Sequence, residues 1–504
     1  MSIGRTGATG TPREAPEATD PHRWWALVVI ALAQLMVVLD ATIVNIALPS
    51  AQHALHMSDG NRQWVITAYT LAFGGLLLLG GRIADLVGRK RTFVLGLVGF
   101  AIASAIGGAA TSSGMLFGAR ALQGAFAAVL APSALSLLTT TFTDPRERGK
   151  AFGVYGALAG SGSAIGFIVG GLLTEYLNWR WCLYVNVPIA VLAVFGAFAL
   201  LHDRPGHREA GLDVAGVLLG CGGLVAIVYG FSEAEPRGWT DALVLTLFAT
   251  GTALLTAFIW WQKRAPSPLL PLHIIKDRNR AGCFLTMMLA TIGMFGLFLF
   301  MTYYLQIILG YSPVRTGLAY LPLTAAIITG STQISARLLH RVAPRMLMAP
   351  GMVLAAGGMM LLTRMTVHSS YTTEILPALL LMGLGMGLTF MPVFATATSG
   401  VAPRDSGVTS ATVNTSQQVG GSIGTALLNT IATTSSAAYI TAHLRTGAPK
   451  ALVVPAGVVH GYTVAIWWAA GVMLLAGLTA GLLVTAKAPK HGAPADAQVP
   501  ESVT

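Results

Sequence analysis

Apolar runs of roughly 20 residues, the length an α-helix needs to cross a bilayer, recur from Trp24 to Thr485. No other property restricts the fold so much. In hydrocarbon each backbone N–H and C=O must be satisfied within its own segment, so such runs form membrane-spanning helices. Composition agrees: 54% of the residues are hydrophobic and 10% charged, where a soluble protein carries about a quarter charged. Hydropathy marks fourteen spans, near 24–48, 61–80, 92–110, 114–141, 150–174, 181–201, 211–231, 240–261, 281–309, 316–339, 345–363, 372–397, 408–436 and 461–485. The expected fold class is an all-α polytopic membrane protein.

The charges supply an orientation. Of 31 Lys and Arg, 23 lie on the side of the N-terminus, 7 lie on the other, and Arg120 falls inside a span. Basic loops stay cytoplasmic, so both termini are expected inside. The net charge of +11 then needs no nucleic acid, because the bases are spread over eight segments rather than gathered in one patch. The leading residues read as a polar tail and not as a signal peptide, since the run from Trp24 is long enough to span. Cys182, Cys221 and Cys283 form no close pair and read as small core residues.

Two stretches repeat. GRIADLVGRK, from Gly81, matches ARLLHRVAPR, from Ala336, at a displacement of 255, with Arg82 on Arg337 and Asp85 on His340. Pro145–Gly149 matches Pro403–Gly407 at a displacement of 258, which sets Gly162 and Gly166 on Gly420 and Gly424. The pattern is two six-helix halves with two helices inserted between them, a known transporter plan with its substrate site near the midplane. The expected organisation is a tail 1–23, a first half 24–201, inserted helices 202–264, a second half 265–485 and a tail 486–504.

Four motifs carry a resemblance. GRIADLVGRKR, residues 81–91, is similar to the signature loop of the major facilitator superfamily. LDATIVNIALP (39–49), RALQGAFAA (120–128) and GSGSAIGFIVGG (160–171) resemble the helix 1, helix 4 and helix 5 motifs of its fourteen-helix branch of drug:proton antiporters. In the last motif Phe167 stands where the family has proline. The resemblance covers nearly the whole chain. It implies a secondary active transporter, not an enzyme, that needs no cofactor and exchanges protons for an amphipathic small molecule across a bacterial cytoplasmic membrane, working as a monomer.

Asp40 is the only acid deep within an apolar run, and ionisable residues at such depth mark proton or ion pathways. Asp40 lies roughly 13 Å and Arg120 roughly 9 Å below the outer ends of their helices, at 1.5 Å per residue. Burial opposes a carboxylate's charge and a guanidinium favours it, which suits Asp40 to gain and lose a proton; a static ion pair joining helices 1 and 4 is the alternative. The resemblance implies the same roles. It also implies that Gly81, Asp85, Gly88 and Arg89 form a gating loop, Asp85 contacting the start of helix 13. Gly162, Gly166 and Gly170 fall on one helix face suited to close packing, which in the family meets the second half. Gln34, Asn45, Trp64, Tyr69, Tyr303, Gln306, Asn414 and Gln417 are candidate cavity residues, being polar or aromatic within spans.

No P-loop, metal cluster or nucleophile–base pair stands out in the sequence. The leading expectation is proton-coupled efflux of drugs or antibiotics. Export of a self-made metabolite or siderophore, nutrient uptake, and a non-transporting receptor or scaffold are the alternatives.

Overall fold

The computed structural model describes residues 22–142, 144–202, 212–401 and 405–487. Within these residues fourteen helical rods follow one another, with a short helix, Leu272–Lys276, before the ninth. The first group is α1 (Arg23–Ala54), α2 (Trp64–Val87), α3 (Arg89–Gly108), α4 (Ser113–Thr141), α5 (Pro145–Tyr176) and α6 (Trp181–Leu200). Then come α7 (Val214–Arg237) and α8 (Ala242–Gln262). The last group is α9 (Arg278–Ile308), α10, α11 (Arg345–Leu362), α12 (Tyr371–Thr398), α13 (Ser406–Arg445) and α14 (Lys450–Leu483). Here α10 joins the pieces Pro313–Ala319, Leu321–Ile328, Thr329–Ser335 and Ala336–Leu338.

Among the described residues, eleven helices are long and apolar enough to cross a membrane. α5 is rich in Gly and α13 in Gly, Ser, Thr and Gln, and Gly162, Gly166, Gly170 and Gly171 of α5 and Gly420, Gly421 and Gly424 of α13 face other helices. α10 is interrupted by Pro322 and by a π-helical turn at Thr329–Ser335. Caps mark where rods begin: the side chains of Ser112, Asp241, Asp277 and Ser312 each accept a backbone N–H from the first turn that follows.

Several boundaries differ from expectation. The stretch read as a loop from Gly81 is helical through Val87, because the polar tail of α2 keeps its own i→i−4 bonds beyond the apolar band. The break comes at Gly88, whose φ of 105° suits glycine. α13 and α14 also outrun their apolar runs. They continue as a pair past the band, with Gly457 against Ile440 and Gly461 against Ser436 and Ala432.

Helix pairing repeats. Gly166 of α5 sits against Thr42 and the Leu39 carbonyl of α1, and Gly420 of α13 sits against Thr291 and the Met288 carbonyl of α9. Both threonines return their hydroxyls to the carbonyls three and four residues back. One packing device is thus used once in each half.

α7 fastens to both halves at one crevice. Gln63, the residue before α2, donates to Ser232 Oγ at 2.9 Å, and Thr430 of α13 donates to the Phe231 carbonyl at 2.8 Å. At the base of α7, Asp213 caps Gly216 N–H at 2.8 Å and accepts from Trp261 Nε1 and Gln262 Nε2, both at 2.7 Å. Burial alone would raise this carboxyl, but these N–H donors outweigh it and hold Asp213 below the usual carboxylate range. A lowered folded value means that the stabilisation is complete above the unfolded value of about 3.9 and is lost as pH falls through the folded one. Asp213→Ala is therefore expected to lower the thermal midpoint at neutral pH by removing about 1–3 kcal/mol of capping and charge-assisted bonding. The gap to wild type should close in acid. A gap that stays constant with pH would show that Asp213 acts only by packing.

Candidate functional site

The polar centre of the first half lies where five helices meet. Asp40 on α1 is 0% exposed and Arg120 on α4 is 1% exposed. Arg120 Nη1 donates to Asp40 Oδ2 at 2.6 Å and to Gln123 Oε1 at 2.8 Å, and its Nε donates to the Val65 carbonyl of α2 at 2.9 Å. Asp40 Oδ1 accepts from Gln123 Nε2 at 3.0 Å and from Asn186 Nδ2 at 2.8 Å. Gln123 Nε2 also reaches Ser104 Oγ of α3 at 2.7 Å. The Tyr69 ring of α2 lies 4.4 Å from the guanidinium carbon of Arg120.

A buried ion pair stands only if its remaining lone pairs and protons are also satisfied. This cluster meets that condition through Gln123, Asn186 and Val65, none of which was singled out from the sequence. Gln123 had a signal, since it lies one turn from Arg120 within the helix 4 motif. Asn186 had a weaker one, as a buried amide in an apolar span. Ser104 had none.

The other candidates are distributed as follows. Tyr303 and Gln306 lie at the end of the bundle away from the termini, hereafter the distal end. Tyr303 donates its hydroxyl to Gln52, and Gln306 Nε2 donates to the Ile46 carbonyl at 2.9 Å, so both tie α9 to α1. The Arg62 guanidinium covers the Tyr303 ring at 3.9 Å, and Asn429 Nδ2 donates to the Asp59 carbonyl at 2.9 Å. Phe167 stacks on Tyr320 at 4.6 Å, while Gly317 is pressed against the Phe167 carbonyl. The contacts of Tyr303, Gln306, Arg62 and Asn429 close the distal end, and the Phe167–Tyr320 stack joins the halves deeper in, near the level of Thr42.

Gln34 accepts from the Tyr155 hydroxyl at 2.6 Å. Asn45 donates back to Ala41 at 2.9 Å, with its Oδ1 buried and unpaired. Trp64 packs on Tyr229 of α7 at 6.1 Å. Asn414 donates to the Ser410 carbonyl at 3.1 Å, and Gln417 is part-exposed on α13.

Gly162, Gly166 and Gly170 meet α1 rather than the second half: a Cβ at Gly162 would lie 2.9 Å from Val38 Cγ1, and one at Gly170 2.9 Å from Ile43 Cγ1. The contact with the second half falls on the neighbouring face, at Phe167 and Gly171, where Phe167 fills space with its ring instead of kinking the helix. In the region read as a gate, Gly81 has room, since its nearest neighbour would be Pro132 Cβ at 3.8 Å. The close approach belongs to Gly80, against the Ala128 carbonyl. Arg89 opens α3. The side chain of Asp85 lies outside the described residues.

The chain is 57% identical over 475 residues to the puromycin resistance protein pur8 of Streptomyces alboniger, covering 94% of this chain and 93% of that one. It is 38% identical to the cephamycin export protein CmcT of Amycolatopsis lactamdurans, over 87% and 90% of the two chains. Among solved structures, a bacterial homolog of the human lysosomal transporter Spinster superposes with a TM-score of 0.64 at 17% identity. That match covers 93% of this chain and 98% of the other, and it shows a shared fold. Residues 30–425 match the family model, and the chain belongs to the Major Facilitator Superfamily.

Proposed function

We propose that this multi-pass membrane transporter exports antibiotics from the cytoplasm in exchange for protons, with Asp40 as the proton carrier and both termini inside. The supporting observation is the buried Asp40–Arg120–Gln123–Asn186 cluster: a carboxyl group held between a guanidinium and two amides at membrane depth suits a proton pathway. The named activities of the 57% and 38% identical relatives support an antibiotic as cargo. In this reading the distal end is the outer mouth, closed here by Arg62, Tyr303 and Gln306, with Phe167 sealing the halves deeper in. Release of substrate requires those contacts to part, and the chain works as a monomer of two halves. Asp40 is the only acid deep in a span, and it is committed to Arg120. Neutral or monocationic substrates are therefore preferred, since a dication would lack a second counter-charge.

The test is a susceptibility panel in a host lacking its own pumps, with puromycin as the first probe, followed by a cephamycin and by monovalent and bis-cationic dyes. The chain is expected to raise the tolerated puromycin concentration severalfold and to leave bis-cation tolerance unchanged. Equal tolerance with and without the chain across the whole panel would remove the efflux reading.

A further inference from the structure

The hydrogen bonds around Asp40 are not equally free to change. Arg120 can only donate. Gln123 is held at both ends: its Oε1 accepts from Arg120, and its Nε2 reaches Asp40 and Ser104. Turning that amide over would set its N–H groups against the guanidinium. Asn186 is held at one end. Its Nδ2 donates to Asp40 Oδ1 at 2.8 Å, while its Oδ1 is buried with no hydrogen-bond partner in a fully buried residue. Among the described residues, Asp40 is the one hydrogen-bond partner of this amide.

We infer that Asn186 is a positioning residue for the proton step, its side-chain amide turning over when Asp40 is protonated so that Oδ1 accepts the new O–H. This rests on the reading of Asp40 as the proton carrier. A hydronium ion gives its proton to Asp40 Oδ1 and leaves as water; one O–H bond forms, one breaks, and Arg120 keeps its charge and its bond to Oδ2. Asn186 makes one bond to Asp40 as donor before the step and one as acceptor after it, so the turn keeps the Asp40–Asn186 bond. Without the turn, the carboxyl proton would face the N–H groups of Asn186 and Gln123, and a buried donor left without an acceptor is costly. The titratable groups near Asp40 on the elements packed around it are Arg120 from α4, Tyr69 from α2 and Cys182 from α6. α5 contributes its glycine face, with Tyr155 meeting α1 further in, at Gln34, and Tyr303 of α9 meets α1 further out, at Gln52.

Infrared difference spectra of the protein in lipid, acid minus alkaline, with isotope-labelled asparagine, test the turn without needing a substrate. The protonated carboxyl band of Asp40 and a shifted asparagine amide band should appear together. Asn186→Leu should abolish the amide shift and move the carboxyl band, and Asn186→Ser, whose hydroxyl can donate or accept, should restore the band position. In vesicles, uphill puromycin transport should fall about tenfold or more in Asn186→Leu and stay near wild type in Asn186→Ser, with puromycin counterflow kept in both. A carboxyl band without any amide shift overturns the turn, as does a loss of counterflow equal to the loss of uphill transport. A carboxyl band that survives Asp40→Asn overturns the reading of Asp40 instead.

Discussion

In sealed vesicles with an imposed proton gradient, Asp40→Asn is expected to abolish uphill export while substrate still exchanges downhill. Asn preserves the size of the side chain and a hydrogen-bonding oxygen for Arg120, so helices α1 and α4 stay joined at the 2.6 Å contact. What it removes is the ability to carry a proton. One proton moving down a force of about 150 mV supplies roughly 3.5 kcal/mol, enough for a gradient of a few hundred-fold in a neutral substrate. The variant should therefore drop from that ceiling to no gradient at all. The measurement is accumulated substrate at steady state, with wild-type counterflow as the control for folding. Accumulation unaffected by the substitution would move the proton site elsewhere.

The second large effect concerns the glycine seams. A Cβ at Gly166 would overlap Thr42 Oγ1 and lie 3.3 Å from the Leu39 carbonyl, and one at Gly420 would overlap the Met288 carbonyl and Thr291. The obstacle includes backbone, which cannot rotate away. Leucine at either position should cost more than the roughly 1–3 kcal/mol of ordinary overpacking. The expected outcome is loss of most folded protein in detergent and a lowered thermal midpoint in what remains. Gly118→Ala is the contrast. Nothing lies within 4 Å of its Cβ position, so helix propensity should leave it neutral or stabilised by about 1 kcal/mol. Equal midpoints for Gly166→Leu and Gly118→Ala would show that the seam tolerates expansion.

Much of the architecture was legible because the bilayer imposes a local rule. A span must be long, apolar and self-bonded, so the succession of rods and the similar depth of Asp40 and Arg120 could be read along the chain. Helix ends were less legible. α2, α13 and α14 run past their apolar stretches because tertiary pairing and the helix's own bonds hold residues that hydropathy assigns to water.

The site was legible in its charges and opaque in its amides. Asp40 and Arg120 stand out because charge is costly in hydrocarbon, whereas Asn186 and Ser104 cost little when exposed to a neighbouring helix and leave a weak trace or none. Likewise, spacing alone shows that Gly162, Gly166 and Gly170 share a face, but not that α1 covers it. Nor does it show that Tyr303 and Gln306 close the distal end. Order along the chain tells which segments are long and apolar enough to span, the smooth and polar faces they carry, and where charge must be buried. Which face meets which follows from the packing of the folded bundle, because helical periodicity fixes a residue's direction on its own rod, while its partner depends on how separate rods fill space together.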